Sequence, residues 1–155
     1  MKIYDEFNKS IHREDLMPVL YSGFFISITG GLVAGALQML FMSAFSFSMS
    51  WLMMLVLAHL ISRRTLRSYE RYHIIYPLLS VFFFIFAYYI MQLTWTSGIF
   101  FISGLFNFKT FLSLLNPLYY FSFLSPFRSG FFYIENILDV IFFIVGIAYS
   151  YRMSK

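Results

Sequence analysis

Long apolar runs separated by short polar segments make up most of the chain. Residues 18–40 contain no charged side chain, and three further apolar runs follow. At about 1.5 Å per residue, helices of this length cross about 30 Å of hydrocarbon. The pattern predicts an all-α integral membrane protein, with residues 1–155 forming a single membrane domain. Its four transmembrane helices are expected at residues 18–40, 44–62, 74–97 and 131–151.

The basic residues predict the orientation of these spans. Residues 1–17 are polar and of mixed charge, and they are too acidic for the first part of a signal peptide. Nine of the 11 Lys and Arg residues lie in one of three regions: this segment, the loop after the second span, or the C-terminal tail. The two exceptions are Lys109 and Arg128. Because cytoplasmic segments carry the excess of positive charge, residues 1–17 are expected to be cytoplasmic, and both termini with them.

Residues 98–130 are the least regular part of the pattern. They are apolar enough to enter the bilayer, but they include Lys109 and the Asn116–Pro117 pair. A fifth span here would bury Lys109 at a cost of roughly 3 kcal/mol and would move the basic tail outside. We therefore expect a re-entrant or interfacial helical segment at the outer face. Irregular backbone at that depth must be shielded from lipid by protein or must line a water-filled cavity. A partner is therefore also expected, either a second copy in a homodimer or another membrane chain.

Small residues recur on one face of the first span. Helix backbones approach closely at such positions, so this stripe predicts packing, either within the subunit or across a dimer. A substrate path beside the glycines is the alternative. The residues are Gly23, Ser27, Gly31 and Gly35.

Three arginines also share one helical face, in the loop after the second span. Arg63, Arg67 and Arg71 either anchor the chain to the anionic headgroups of membrane lipid or contact a cytoplasmic partner. The pattern alone leaves both interpretations open.

Two acidic residues, Glu135 and Asp139, interrupt the last span at a spacing that places them on one helical face. Placing a charged Asp139 at its predicted depth in the membrane costs roughly 2.5–3.5 kcal/mol of insertion free energy, unless the carboxylate is paired, hydrated or protonated. One interpretation is an outer vestibule or substrate path, with Gln38 and Gln92 nearby and Arg128 as the nearest counter-charge. The other is a hydrogen-bonded pair that locks the last helix against the re-entrant segment.

The composition excludes most catalytic and cofactor chemistry. The chain has no cysteine and three widely spaced histidines, so its spacing suggests no metal site. No nucleophile elbow, phosphate-binding loop, zinc-protease motif or dinucleotide fingerprint is present. We therefore expect no enzyme, no cofactor and no catalytic residue. The positions of the basic residues favour a membrane protein, and no nucleic-acid partner is expected.

A resemblance to a known protein family rests on the order of a few residues near the C-terminus. These residues are Asn116, Pro117, Leu118, Arg128 and Gly130, and the last span and a basic tail follow them. Their order resembles the C-terminal half of the membrane subunit of ABC-2-type exporters of capsule, O-antigen or teichoic acid polysaccharides. The resemblance implies a bacterial cytoplasmic (inner) membrane protein, with Asn116 and Arg128 at the outer mouth. It also implies that residues 3–16 act as a coupling helix on a separate cytoplasmic ATPase subunit. The expected contacts with that subunit include His12, Arg13, Glu14 and Asp15.

The resemblance implies a half-size exporter subunit for polysaccharide or glycolipid, because members of that family have more spans than the four predicted here. Two alternatives remain from the residues themselves. One is a small non-transporting membrane protein that binds or assembles a partner complex, of an accessory or immunity type. The other is a proton-coupled small carrier that uses Glu135 and Asp139.

Overall fold

The computed structural model describes residues 13–46, 48–127, 129 and 131–155, and this part of the chain is helical without any strand. The predicted all-α fold is thus confirmed. Helices α1, α3 and α6 are long and apolar enough to cross a membrane. The elements are α1 (Arg13–Phe45), α2 (Ser50–Leu66), α3 (Ile75–Ile102), α4 (Phe108–Leu114), α5 (Pro117–Phe121), a 3₁₀ turn (Ser122–Leu124) and α6 (Ile134–Met153).

Helix α1 extends past the predicted span 18–40 at both ends. Its first turn carries Glu14 and Asp15, which complement the partial positive charge of a helix N-terminus. The helix ends where Ser46 takes a φ of 54°, a left-handed conformation that interrupts a right-handed helix. Residues 44 and 45, expected in the second span, therefore belong to the first helix.

Helix α2 is displaced and short relative to the expected span 44–62. Its 17 residues, Ser50–Leu66, correspond to about 25 Å at 1.5 Å per residue. Arg63 and Arg64 occupy its last turn, where positive charge offsets the negative end of the helix dipole.

Helix α3 continues beyond the expected boundary at residue 97. It ends in a Schellman motif, in which the N–H of Gly104 donates to the carbonyl of Phe101 (3.2 Å) and that of Leu105 to Phe100 (3.1 Å). Gly104 supplies the required positive φ of 70°. Gly98, the expected start of the re-entrant segment, therefore lies inside α3.

The four long helices form a bundle in which α1 and α3 run in one direction and α2 and α6 in the other. Helices α2 and α3 each contact both α1 and α6, which flank them. The core consists of apolar side chains from all four helices, with Phe83 and Phe84 of α3 fully buried between α1 and α6. Phe84 fits against Gly146 of α6, where a Cβ atom would lie 2.4 Å from its ring.

The small-residue stripe of α1 lies against α3 of the same chain. Ser27 donates its hydroxyl to the carbonyl of Phe83 at 3.0 Å, and a Cβ atom at Gly31 would lie 2.8 Å from the carbonyl oxygen of Ala87. Gly23 and Gly35 likewise leave no room for a Cβ atom, against the ring of Phe83 and the backbone of Met91. The face predicted for packing is thus filled by α3.

The two ends of the bundle differ in structure. At the end that carries Arg63, Arg64 and Arg67, here called the arginine end, the Tyr69 hydroxyl donates to the carbonyl of Ser154 (2.7 Å). The Glu70 N–H donates to the Asp15 carboxylate at 3.3 Å, so α1, the α2–α3 loop and the end of α6 are joined. Burial raises the pKa of Tyr69 to about 12. The opposite end, which α4 and α5 cover, is called the capped end.

Candidate functional site

Two short helices build the cover of the capped end, and each begins at an asparagine. The Asn107 side chain accepts the N–H of Thr110 at 2.8 Å and so caps α4. The Asn116 side chain accepts the N–H of Leu118 at 3.0 Å, with Pro117 in the first turn of α5. Asparagine is a favoured N-cap and proline a favoured first residue. The Asn-Pro-Leu motif therefore specifies the start of a helix.

Polar contacts attach this cover to α3 and α6. The Asn136 amide donates to the carbonyls of Phe123 (3.2 Å) and Phe131 (3.1 Å). The Tyr89 hydroxyl donates to the carbonyl of Leu115 at 2.8 Å. These bonds position the segment between α5 and α6 over the bundle.

Aromatic side chains add an apolar layer beneath the cover. The ring of Tyr88 lies 5.6 Å from those of Phe121 and Phe123 and 5.0 Å from that of Phe143. Phe123 meets Phe143 edge to face at 5.5 Å, an arrangement that adds to simple area burial. The cover is thus packed on the core.

A cavity of about 370 Å³ lies between α3, α6 and the cover. Carboxylate, amide and hydroxyl groups alternate with aromatic rings around it. It is lined by Tyr88, Gln92, Trp95, Thr96, Ile99, Tyr119, Tyr120, Ser122, Phe123, Asn136 and Asp139. Polar and aromatic side chains contribute about equally to this lining, so the cavity offers both hydrogen-bonding groups and apolar surface.

Asp139 lies between this cavity and a smaller one of about 90 Å³, which Glu135 and Ser48 also line. The Ser50 hydroxyl donates to the Asp139 carboxylate. Ser50 is the first residue of α2, whose N-terminus carries partial positive charge. Glu135, by contrast, is exposed in the first turn of α6. The two acids share a face of α6 but differ in environment.

Further polar groups lie in the same part of the bundle. Gln92 donates its amide to the Tyr88 hydroxyl at 3.1 Å. The indole Nε1 of Trp95 is buried and has no hydrogen-bond partner among the described residues. Gln38 is 3% exposed, and its Oε1 also lacks a partner within the described ranges. Gln38 is not part of the cavity lining.

The structure brings together only some of the residues predicted to line an outer vestibule or substrate path. Asp139 and Glu135 line a common cavity. Asn116 caps α5 and is absent from the lining of both cavities. Arg128, the expected counter-charge, lies outside the described residues. Among the groups described, Ser50 is the one that bonds to Asp139.

The predicted cytoplasmic contacts meet at the arginine end where they are described. Arg63, Arg67, Arg71 and Glu14 are exposed there, while Asp15 accepts the Glu70 N–H. His12 lies outside the described residues, and so does the side chain of Arg13.

Several cavity residues were not predicted as site residues, among them Tyr88, Trp95, Asn136 and Ser50. The sequence feature that could have indicated the α3 side of the cavity is a set of residues spaced three or four apart on one face of that helix: Tyr88, Gln92, Trp95 and Ile99. In a chain that is 23% aromatic, this face does not stand out from the rest.

Comparison of the chain with protein-family profiles, with curated proteins and with solved structures finds no match. Among the described residues, no group of three or more His, Cys, Asp or Glu side chains is arranged to hold a metal ion.

Proposed function

We propose that this chain is the half-size membrane subunit of an ABC-2-type exporter of polysaccharide or glycolipid, working with a separate ATPase in the bacterial cytoplasmic membrane. The observation that carries the proposal is the cavity at the capped end, which combines the Asp139 carboxylate with amides and aromatic rings. The residues that resemble that family, Asn116 to Leu118, form part of the cover beside it.

The proposed topology has four spans, with the capped end outside and both termini in the cytoplasm. Helices α1 and α3 run in the same direction and touch from Gly23 to Gly35, so the chain must cross back between them. Helix α2 is the element available for that return. Its limited length is compatible with crossing because α1, α3 and α6 all pack against it. In this topology α4, α5 and the 3₁₀ turn form the re-entrant segment.

The cavity suits a ligand rich in hydroxyl groups. A carboxylate accepts hydrogen bonds, and an amide both donates and accepts them, so Asp139, Gln92 and Asn136 match the hydroxyls of a sugar. The rings of Trp95, Tyr119 and Tyr120 provide flat apolar surfaces for the C–H faces of sugar rings. Export would then carry the glycan past this site, driven by the ATPase at the arginine end.

Purification of the tagged protein from its native membrane, followed by mass spectrometry, tests the role. A P-loop ATPase is expected in near-stoichiometric amount with the unmodified chain. Charge reversal of the exposed pair Arg63→Glu and Arg67→Glu is expected to remove it, because these residues face the cytoplasm in the proposed topology. Lys109→Glu, an exposed reversal at the capped end, is the matched control and should keep it. Recovery of the unmodified chain without any ATPase would overturn the exporter role.

A non-transporting protein that binds a partner complex is the second candidate. The favouring observation is the arginine end, where the bonds Tyr69–Ser154 and Asp15–Glu70 join three elements into one surface. Such a surface suits a stable cytoplasmic partner whether or not transport occurs. In the same purification, a stoichiometric partner that is not an ATPase and is lost on charge reversal at Arg63 and Arg67 would favour this candidate.

A further inference from the structure

A further depression at the capped end lies between α1 and α3. Its volume is about 290 Å³, and its walls are almost wholly apolar. We call it the α1–α3 groove; it is lined by Met39, Met42, Ser43, Trp95, Ile99, Ile102 and Ser103.

The α1–α3 groove shares a wall with the polar cavity. Trp95 and Ile99 line both spaces, so these two side chains form the wall between an apolar groove and a polar cavity. The indole Nε1 is buried and finds no acceptor among the described residues. A tryptophan N–H is a donor only, and leaving a buried donor unsatisfied is unfavourable. An oxygen supplied by a ligand would remove that cost.

The surroundings of the groove point to a hydrocarbon chain. Around it, Leu40 and Ile102 are exposed apolar side chains at the ends of helices that are long and apolar enough to cross a membrane. Lipid tails are the medium that such surfaces meet. Tryptophan is enriched where tails give way to headgroups, because its ring is apolar and its N–H is polar. Met39 and Met42 are flexible enough to fit an irregular chain.

We propose that the α1–α3 groove binds one hydrocarbon chain of a membrane lipid in the leaflet at the capped end. An ester or hydroxyl oxygen of that lipid accepts the hydrogen bond from Trp95 Nε1. The bound lipid holds the indole in place, and Trp95 thereby forms a fixed partition beside the polar cavity. The site does not depend on the exporter role, since it requires only that α1 and α3 lie in a bilayer.

The chain has two tryptophans, Trp51 and Trp95, which makes the test direct. In the variant Trp51→Phe, Trp95 is the sole tryptophan, and its fluorescence is measured in vesicles with increasing fractions of a phospholipid brominated on its acyl chains. Bromine quenches on contact, so a specific site gives a component that saturates at a low fraction of brominated lipid. Adding Ser43→Phe, which fills the groove, is expected to abolish that component.

Two controls separate the groove from general contact with lipid. Leu40→Phe adds bulk to a neighbouring exposed position outside the groove lining and should leave the saturable component unchanged. The variant Trp95→Phe keeps Trp51, which packs on Phe142 at 5.2 Å, and its quenching should not respond to Ser43→Phe.

Ser103→Phe fills the same groove from α3 and replaces Ser43→Phe if that variant does not fold, as judged by its helical circular dichroism. Quenching of Trp95 that rises without saturation would overturn the proposal. So would a saturable component that persists in a folded, groove-filled variant.

Discussion

Asp139 shows how a carboxylate is tolerated inside a largely apolar helix. The expected counter-charge was a basic side chain, yet the described partner is the Ser50 hydroxyl at the start of α2. A hydroxyl donor and a helix N-terminus together stabilise negative charge without a second buried ion. Access to two cavities also keeps the group in contact with polar surroundings. Among the described residues, the acid is thus held by the start of α2.

The Ser50–Asp139 bond is expected to contribute measurably to stability. Ser50→Ala leaves a half-buried carboxylate without its donor and should lower the free energy of unfolding by about 1–2 kcal/mol. In the background of Asp139→Leu the same change should be nearly neutral, because the acceptor is gone. Chemical unfolding of the four proteins in detergent, followed by circular dichroism, gives this double-mutant cycle. Equal effects of Ser50→Ala in both backgrounds would show that the bond does not stabilise the fold.

Neighbouring glycines of α1 offer a matched pair for the packing of α1 on α3. Gly31→Ala places a Cβ atom 2.8 Å from the backbone oxygen of Ala87, so the helices must separate, at a cost of about 1–3 kcal/mol. Gly30→Ala meets only the terminal Cδ2 atom of Leu57 at 3.2 Å and should be neutral or stabilising by up to about 1 kcal/mol. Thermal unfolding in detergent compares them. A Gly31→Ala protein as stable as Gly30→Ala would contradict the close contact.

At the scale of elements, hydropathy located the apolar helices better than it located their ends. An apolar run shows which residues tolerate lipid, but α1 ends at a left-handed Ser46 and α3 at a Schellman motif around Gly104. Both ends are decided by backbone conformation inside apolar sequence. Glu135 and Asp139 could be recognised because charge is rare in such a run. Tyr88 and Trp95 could not, since their role depends on which face of α3 meets α6.

The cover of the capped end depends on Asn136, whose amide bonds to two backbone carbonyls. Asn136→Leu removes both donors at similar volume and should free the segment from α5 to α6 while the bundle stays folded. Hydrogen exchange followed by mass spectrometry should then show faster exchange over residues 117–127. Asn107→Ala, which removes only the α4 cap, should speed exchange near α4 alone. Unchanged exchange over 117–127 in Asn136→Leu would mean that aromatic packing alone holds the cover.

At the scale of the whole molecule, the two ends have opposite chemistry. The arginine end gathers exposed cations and hydrogen-bonded loops, whereas the capped end gathers a carboxylate, amides and aromatic rings around a cavity. Because positive charge favours the cytoplasmic side, this polarity supports the topology proposed above. In the proposed topology the cavity opens outward, away from the ATPase proposed at the other end.

This arrangement can be tested without altering the background, because the chain contains no cysteine. Single substitutions Phe45→Cys, Glu70→Cys and Lys109→Cys replace exposed side chains at the end of α1, in the α2–α3 loop and on α4. A membrane-impermeant maleimide applied to intact cells should label positions 45 and 109, and position 70 only after permeabilisation. Labelling of 45 and 70 from the same side would mean that α2 does not cross. Labelling of position 70 alone in intact cells would reverse the orientation and place the cavity in the cytoplasmic half.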